Sequence, residues 1–141
     1  MPRFVALFRG INVGKAKRIA MADLRALLGE LGYEDVQTLL NSGNAVFTAR
    51  AAKAAALATR IRAAVQKKLG IDAQVIVISA RDVAAIVRGN ALRKLATDPA
   101  RLLVAMTGDR KALAAVAPLS ARDWGREKLH VGEHAAYVWC A

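Results

Sequence analysis

The sequence predicts an α+β fold: a ferredoxin-like βαββαβ unit over residues 1–79, followed by a closely packed αβαββ half over residues 80–141. Three observations carry this reading. Period-two and helix-period segments succeed one another in that order. Gly32 and Gly70 stand where left-handed caps would stop the two long helices. No flexible linker interrupts the chain near residue 80.

Each element has its own residues. Arg3 to Phe8 alternates β-rich side chains and predicts a first strand, and a Gly- and base-rich loop, Arg9 to Arg18, follows it. Met21, Leu24, Leu27, Leu28 and Leu31 recur at helical spacing. Val36 to Leu40 predicts a second strand, Asn41-Ser42-Gly43-Asn44 a turn, and Ala45 to Thr48 a third strand. Leu57, Ile61, Val65 and Leu69 form the stripe of a second helix that starts near Ala51. Ala73 to Ile78 predicts a fourth strand, whose Val75–Ile78 run is typical of buried strands.

Ser79 and Asp82 then have the spacing of a capping box for a short helix with Val83, Ile86 and Val87. Residues 101 to 107 predict a strand, and Leu113 and Val116 a helical turn ended by Pro118. Glu127 to Val131 and Ala135 to Trp139 predict a hairpin turning at Gly132-Glu133. On this reading the second half lacks an opening strand of its own. No sequence repeat relates the halves.

Composition narrows the class. The 141 residues are 55% apolar, but 31 of them are Ala, so the core must be lean and the alanines serve mainly as helix formers. Apolar runs of about five residues are too short to span a bilayer, so no membrane segment is expected. The start, Met1 to Arg9, has no signal-peptide pattern. One cysteine excludes an internal disulfide, and with two histidines it makes a closed zinc site a poor fit; no metal or cofactor is expected. The expectation is a soluble, basic, cytoplasmic protein of net charge +11.

The segment Val5-Ala6-Leu7-Phe8-Arg9-Gly10-Ile11-Asn12-Val13-Gly14 resembles the opening of a bacterial family catalogued as domain of unknown function 1697. The resemblance continues through Met21–Leu28 and Leu31–Thr38 to Ser42-Gly43-Asn44-Ala45-Val46-Phe47, covering the first third of the chain with specific motifs. From Ala73 to Tyr137 it rests on element order and scattered residues. It implies an α+β fold with a ferredoxin-like N-terminal unit and no established activity. The chain departs from the family pattern at Lys15 (usually Gly), Asn41 (usually Gln) and Ala20 (often Pro). It also stops short of a family extension with a Thr-x-Arg-Asn-Trp-type segment.

The leading candidate site is an anion-binding loop made of Arg9, Gly10, Asn12, Gly14, Lys15, Lys17 and Arg18. A glycine-rich strand-to-helix loop offers backbone N–H groups and the positive end of a helix to an anion. Gly10 to Lys15 falls one residue short of a P-loop and continues with Ala16 where a Mg²⁺-binding hydroxyl belongs, which argues against nucleotide hydrolysis. Asn41 and Ser42 are further candidate ligand contacts. Their hairpin is expected at the sheet end opposite the loop, so the two motifs need not share a site. Ser42 has no histidine nearby in sequence to act as a base. His130-Val131-Gly132-Glu133-His134 spells H-x-x-E-H, but the glycine and the predicted hairpin contradict the helix that metalloprotease chemistry requires.

The second helix carries Lys53, Arg60, Arg62, Lys67 and Lys68 and no acid, which makes Arg60, Arg62, Lys67 and Lys68 candidate nucleic-acid contacts. The third strand lacks the stacked aromatics of an RNA-recognition surface. The sequence therefore reads as a non-catalytic protein that binds an anionic ligand through loop 9–18. The alternatives are a nucleic-acid-binding module, a small enzyme acting on an acidic or phosphorylated molecule, and an interaction protein whose open sheet edge or terminal hairpin pairs with a second chain. No recognisable catalytic constellation decides for the enzyme.

Overall fold

The computed structural model describes residues 1–50 and 52–141, which divide into two compact units, Met1–Ala80 and Arg81–Ala141. The first contains β1 (Arg3–Arg9), α1 (Met21–Glu30), β2 (Glu34–Leu39), β3 (Asn44–Thr48), α2 (Ala54–Leu69) and β4 (Gln74–Ser79). Its sheet has the order β2-β3-β1-β4, and every neighbouring pair is antiparallel. This is the split arrangement of a ferredoxin-like unit, as predicted. The Val75–Ile78 run lies on an edge strand, where Val77 and Ile78 are buried and Val75 and Ile76 half-buried.

Alternation along β1 explains the core. Phe4, Ala6 and Phe8 point to the buried face, where they meet Leu24, Leu27 and Leu28 of α1 and Leu57, Ile61 and Val65 of α2. These are the helical stripes read from the sequence. Phe47 of β3 is completely buried, with its ring 5.9 Å from that of Phe4 and 4.7 Å from that of Tyr33. Gly70 closes α2 with φ +67, its N–H bonded to the Gln66 carbonyl, as its place in the sequence predicts.

The second unit contains α3 (begun at Ala80, Ala80–Arg88), β5 (Leu102–Met106), α4 (Arg110–Val116), a 3-10 turn at Ala117–Ala121, β6 (Lys128–Val131) and β7 (Ala135–Trp139). Its antiparallel sheet has the order β5-β7-β6. The predicted order αβαββ is thus present. The connectivity β5-α4-β6-β7 repeats that of β1-α1-β2-β3, strand order included, although no sequence repeat announces it. The second unit begins on α3 with no strand of its own before it, as the sequence predicts; β5 is the counterpart of β1, and the open position is the one beside β5, which β4 fills beside β1 in the first unit. Tyr137 of β7 is buried and its hydroxyl donates to the Ile86 carbonyl of α3. Of the two tryptophans, Trp124 is exposed, its Nε1–H donating to the Leu119 carbonyl, and Trp139 is half-buried.

Tyr33 is the one buried side chain among the described residues whose polar atom has no hydrogen-bond partner. Burial pushes its phenol above the ordinary tyrosine value, and the Arg60 guanidinium over the ring, 5.8 Å from its centroid, only partly opposes this. Since the charged form is the disfavoured one, stability falls as pH rises past the unfolded-state value of about 10. Tyr33→Phe should keep stability level or raise it by about 1 kcal/mol at neutral pH, because an unsatisfied group is removed. It should also lose less than the parent above pH ~10 in denaturant titrations. Phe47→Ala in the same assay should cost about 3–5 kcal/mol.

Candidate functional site

Loop 9–18 folds as a small hairpin clamped by one side chain. The Asn12 N–H donates to the Lys17 carbonyl at 3.0 Å, Val13 and Ala16 bridge, and Gly14 at φ +63 allows the tight turn. Asn12 itself has φ +55, a conformation that asparagine tolerates better than most residues. Its Nδ2 donates to the Ile19 carbonyl (2.8 Å) and the Asn41 carbonyl (2.6 Å), and its Oδ1 accepts from the Ile19 N–H (2.8 Å). Ile11 and Ile19, both buried, root the loop in the core on either side.

The hairpin 41–44 lies against this loop. That corrects the expectation of opposite sheet ends: β3 runs antiparallel to β1 with Asn44 facing Leu7, so the start of β3 adjoins the end of β1. The Phe8 N–H donates to the Gly43 carbonyl at 2.9 Å. Gly43 has φ +92, and a Cβ there would stand 2.6 Å from Ile11 Cδ1 and 2.9 Å from Phe8 Cβ. Glycine is therefore needed for its backbone conformation and also for the close approach of the two segments.

Between them lies a concavity of about 450 Å³ lined by Asn12, Arg18, Ile19, Ala20, Asp23 and Asn41. It opens at the start of α1. Ala20 occupies the N-cap in an extended conformation and offers no side-chain acceptor to the first-turn N–H groups. Asp23 adds the single carboxylate of that turn.

The predicted residues thus separate. Arg18 and the Asn12–Asn41 pair line the concavity, while Lys15 and Lys17 are exposed on the same small hairpin. Gly10 (φ +73) and Gly14 shape the chain. Arg9 points to the β4 side and donates to Gln74 Oε1 at 3.3 Å. Ser42 Oγ accepts from Asn44 Nδ2 at 3.3 Å. Sequence reasoning missed Ile19, Ala20 and Asp23; the signal available was their position in and just before the first turn after the loop. It also missed the exposed Val13, Leu39 and Leu40 beside the loop and turn.

The cations of α2 are largely engaged. Arg62 Nε pairs with Asp72 Oδ1 at 2.7 Å, and the hydrogen bonds from Arg62 hold the Asp72 carboxyl below its ordinary value. Lys68 pairs with Glu30, and Arg60 lies over the Tyr33 ring and donates to the Leu31 carbonyl at 3.3 Å. Among the described residues, Lys67 alone of the four makes no such contact. The H-x-x-E-H residues straddle a strand end and a turn: His130 stacks on Tyr137 within the sheet, with ring centroids 5.8 Å apart, and His134 sits in the bend. No helix of the described residues is long and apolar enough to cross a membrane.

An α+β chain whose ferredoxin-like unit carries this clamped loop defines a structural class, and the comparisons place it in a family. Residues 1–137 match the model described as a protein of unknown function (DUF1697), and the chain belongs to that family. The match runs far beyond the first third, which corrects the narrower extent of the sequence resemblance. The fold is similar to that of the conserved bacterial protein SP0830 from Streptococcus pneumoniae, at 27% identity and a TM-score of 0.81, covering 99% of this chain and 77% of that one. No curated protein matches.

Two substitutions test the frame. Asn12→Ala removes three hydrogen bonds, leaves the Asn41 carbonyl without this donor, and should cost about 2–3 kcal/mol. Faster amide exchange over residues 12–19 should accompany it. Gly43→Ala combines positive φ with a sub-contact Cβ and should cost at least ~2 kcal/mol in chemical denaturation.

Proposed function

We propose that this chain is a non-catalytic binding protein whose loop 9–18, walled by the hairpin 41–44, receives an anionic ligand. One observation carries the reading: the Asn12 clamp fixes the Arg18 concavity at a helix start whose N-cap residue supplies no side-chain acceptor. A helix start of this kind favours negative charge, and Arg18 with the exposed Lys15 and Lys17 adds to it. Asp23 on the same wall disfavours a bare polyanion. The ligand class that suits both is a small molecule with a carboxylate or phosphate at Arg18 and a hydroxyl or amino donor for Asp23. Asn12 serves as a positioning residue, since its side chain is spent on the clamp. Binding in the cytoplasm is part of this reading.

The nucleic-acid alternative retains the net charge of +11 as support. Against it, two of the four candidate cations of α2 are paired with carboxylates and a third is spent on Tyr33 and Leu31. No observation on the described residues favours the enzyme alternative.

The test is an NMR titration with inorganic phosphate and a small phosphorylated alcohol. Saturable shifts confined to residues 12–23 and 41 are expected, with affinity falling about tenfold in Arg18→Ala, the loss of one charge-assisted contact. Shifts elsewhere, or an unchanged affinity in Arg18→Ala, would remove this assignment. In fluorescence anisotropy, oligonucleotide binding should vanish by about 0.15 M salt.

A further inference from the structure

The first unit holds a second concavity, of about 360 Å³, which shares no lining residue with the one at Arg18. Its walls come from the end of α1, the segment after β3 and the start of α2, and include Leu31, Tyr33, Ala49, Arg50, Leu57 and Arg60. A volume of this size is at the small end of those that hold organic ligands. Ala49 and Leu57 are buried and Leu31 is half-buried, so much of the lining is apolar. Its only charged side chains among the described residues are the two arginines, whereas Asp23 stands on the wall of the first concavity.

Tyr33 is the second observation. It is 7% exposed, and its ring stacks on Phe47, a contact that phenylalanine would make as well. Its hydroxyl is closed to water and without a hydrogen-bond partner, which costs stability and adds nothing to the stack. Packing accounts for the ring and leaves the hydroxyl unexplained. Arg50 is exposed and, among the described residues, makes no ion pair. Arg60, also exposed, lies over the Tyr33 ring and donates to the Leu31 carbonyl at 3.3 Å. One wall thus carries an O–H donor without an acceptor and a guanidinium without an anion, with apolar surface beside them.

We propose that this concavity binds a small organic acid, a carboxylate carried on a short apolar body. The carboxylate accepts from the Arg50 guanidinium and from the Tyr33 hydroxyl, and the apolar body covers Leu31 and Leu57. Arg60 admits the acid. Because the hydroxyl is closed to water, the carboxylate reaches it when the Arg60 guanidinium turns off the ring, giving up its bond to the Leu31 carbonyl for one to the carboxylate. Exposed side chains change rotamer within nanoseconds, so this movement is no barrier. Inorganic phosphate has no apolar body and leaves Leu31 and Leu57 uncovered, so the organic acid is the preferred ligand.

An NMR titration of the 141-residue chain with phenylacetate, and in parallel with inorganic phosphate, tests this. Phenylacetate should give saturable shifts at residues 31–33, 49–50 and 57–60, and phosphate at equal concentration should not. Read at those residues, the affinity should fall about tenfold in Arg50→Ala, a change at an exposed position, and about fivefold in Tyr33→Phe, which keeps the stack on Phe47. Arg18→Ala should leave it unchanged, which separates this site from the one at loop 9–18. Phenylacetate shifts confined to residues 12–23 and 41 would overturn the proposal, as would shifts that do not saturate in the millimolar range. An unchanged affinity in either Arg50→Ala or Tyr33→Phe would overturn it too, and equal binding of phosphate would overturn the assignment of an organic acid.

Discussion

The antiparallel pairing of β1 with β3 governs the candidate site. Because the start of β3 meets the end of β1, the loop leaving β1 and the turn entering β3 are forced together, and Gly43 lets them touch. The contact leaves no room for a Cβ, so the turn is locked against Ile11 and Phe8. Asn12 then completes the arrangement by tying both ends of its own loop to the Asn41 carbonyl. The concavity is a product of these constraints, and its walls come from the loop after β1, the helix start and the hairpin at once.

Charge plays a smaller part than the net value implies. The excess of basic residues is spread over both units, and the helix richest in cations spends most of them locally. Exposed pairs such as Arg62–Asp72 contribute little to stability, but they lower the positive field that helix presents. What distinguishes Arg18 is its position beside a helix start that has no side-chain cap, with a carboxylate close enough to restrict what binds.

The two units use one arrangement to different ends. In the first, β4 and α2 complete the sheet and cover its apolar face, giving a core built on Phe4, Phe47 and Tyr33. In the second, the strand equivalent to β1 keeps an unpaired edge and an exposed apolar flank. A strand with this composition would normally be guarded.

The sequence by itself determined the element order, the helical stripes and the residues that stop the helices, because those depend on local periodicity and on glycine's access to positive φ. Gly70 and the Leu57–Ile61–Val65 stripe were legible for that reason. It also determined which loop would be rich in cations and glycine. Only the tertiary structure decided that Asn41 belongs with Asn12, that Asp23 shares their wall, and that Arg9 does not. Those facts depend on strand direction and register, which bring residues about thirty positions apart into hydrogen-bond range and leave no trace in local periodicity. The same holds for the open edge of β5: the composition of the strand is written in the sequence, but whether a neighbour pairs with it is a property of the sheet.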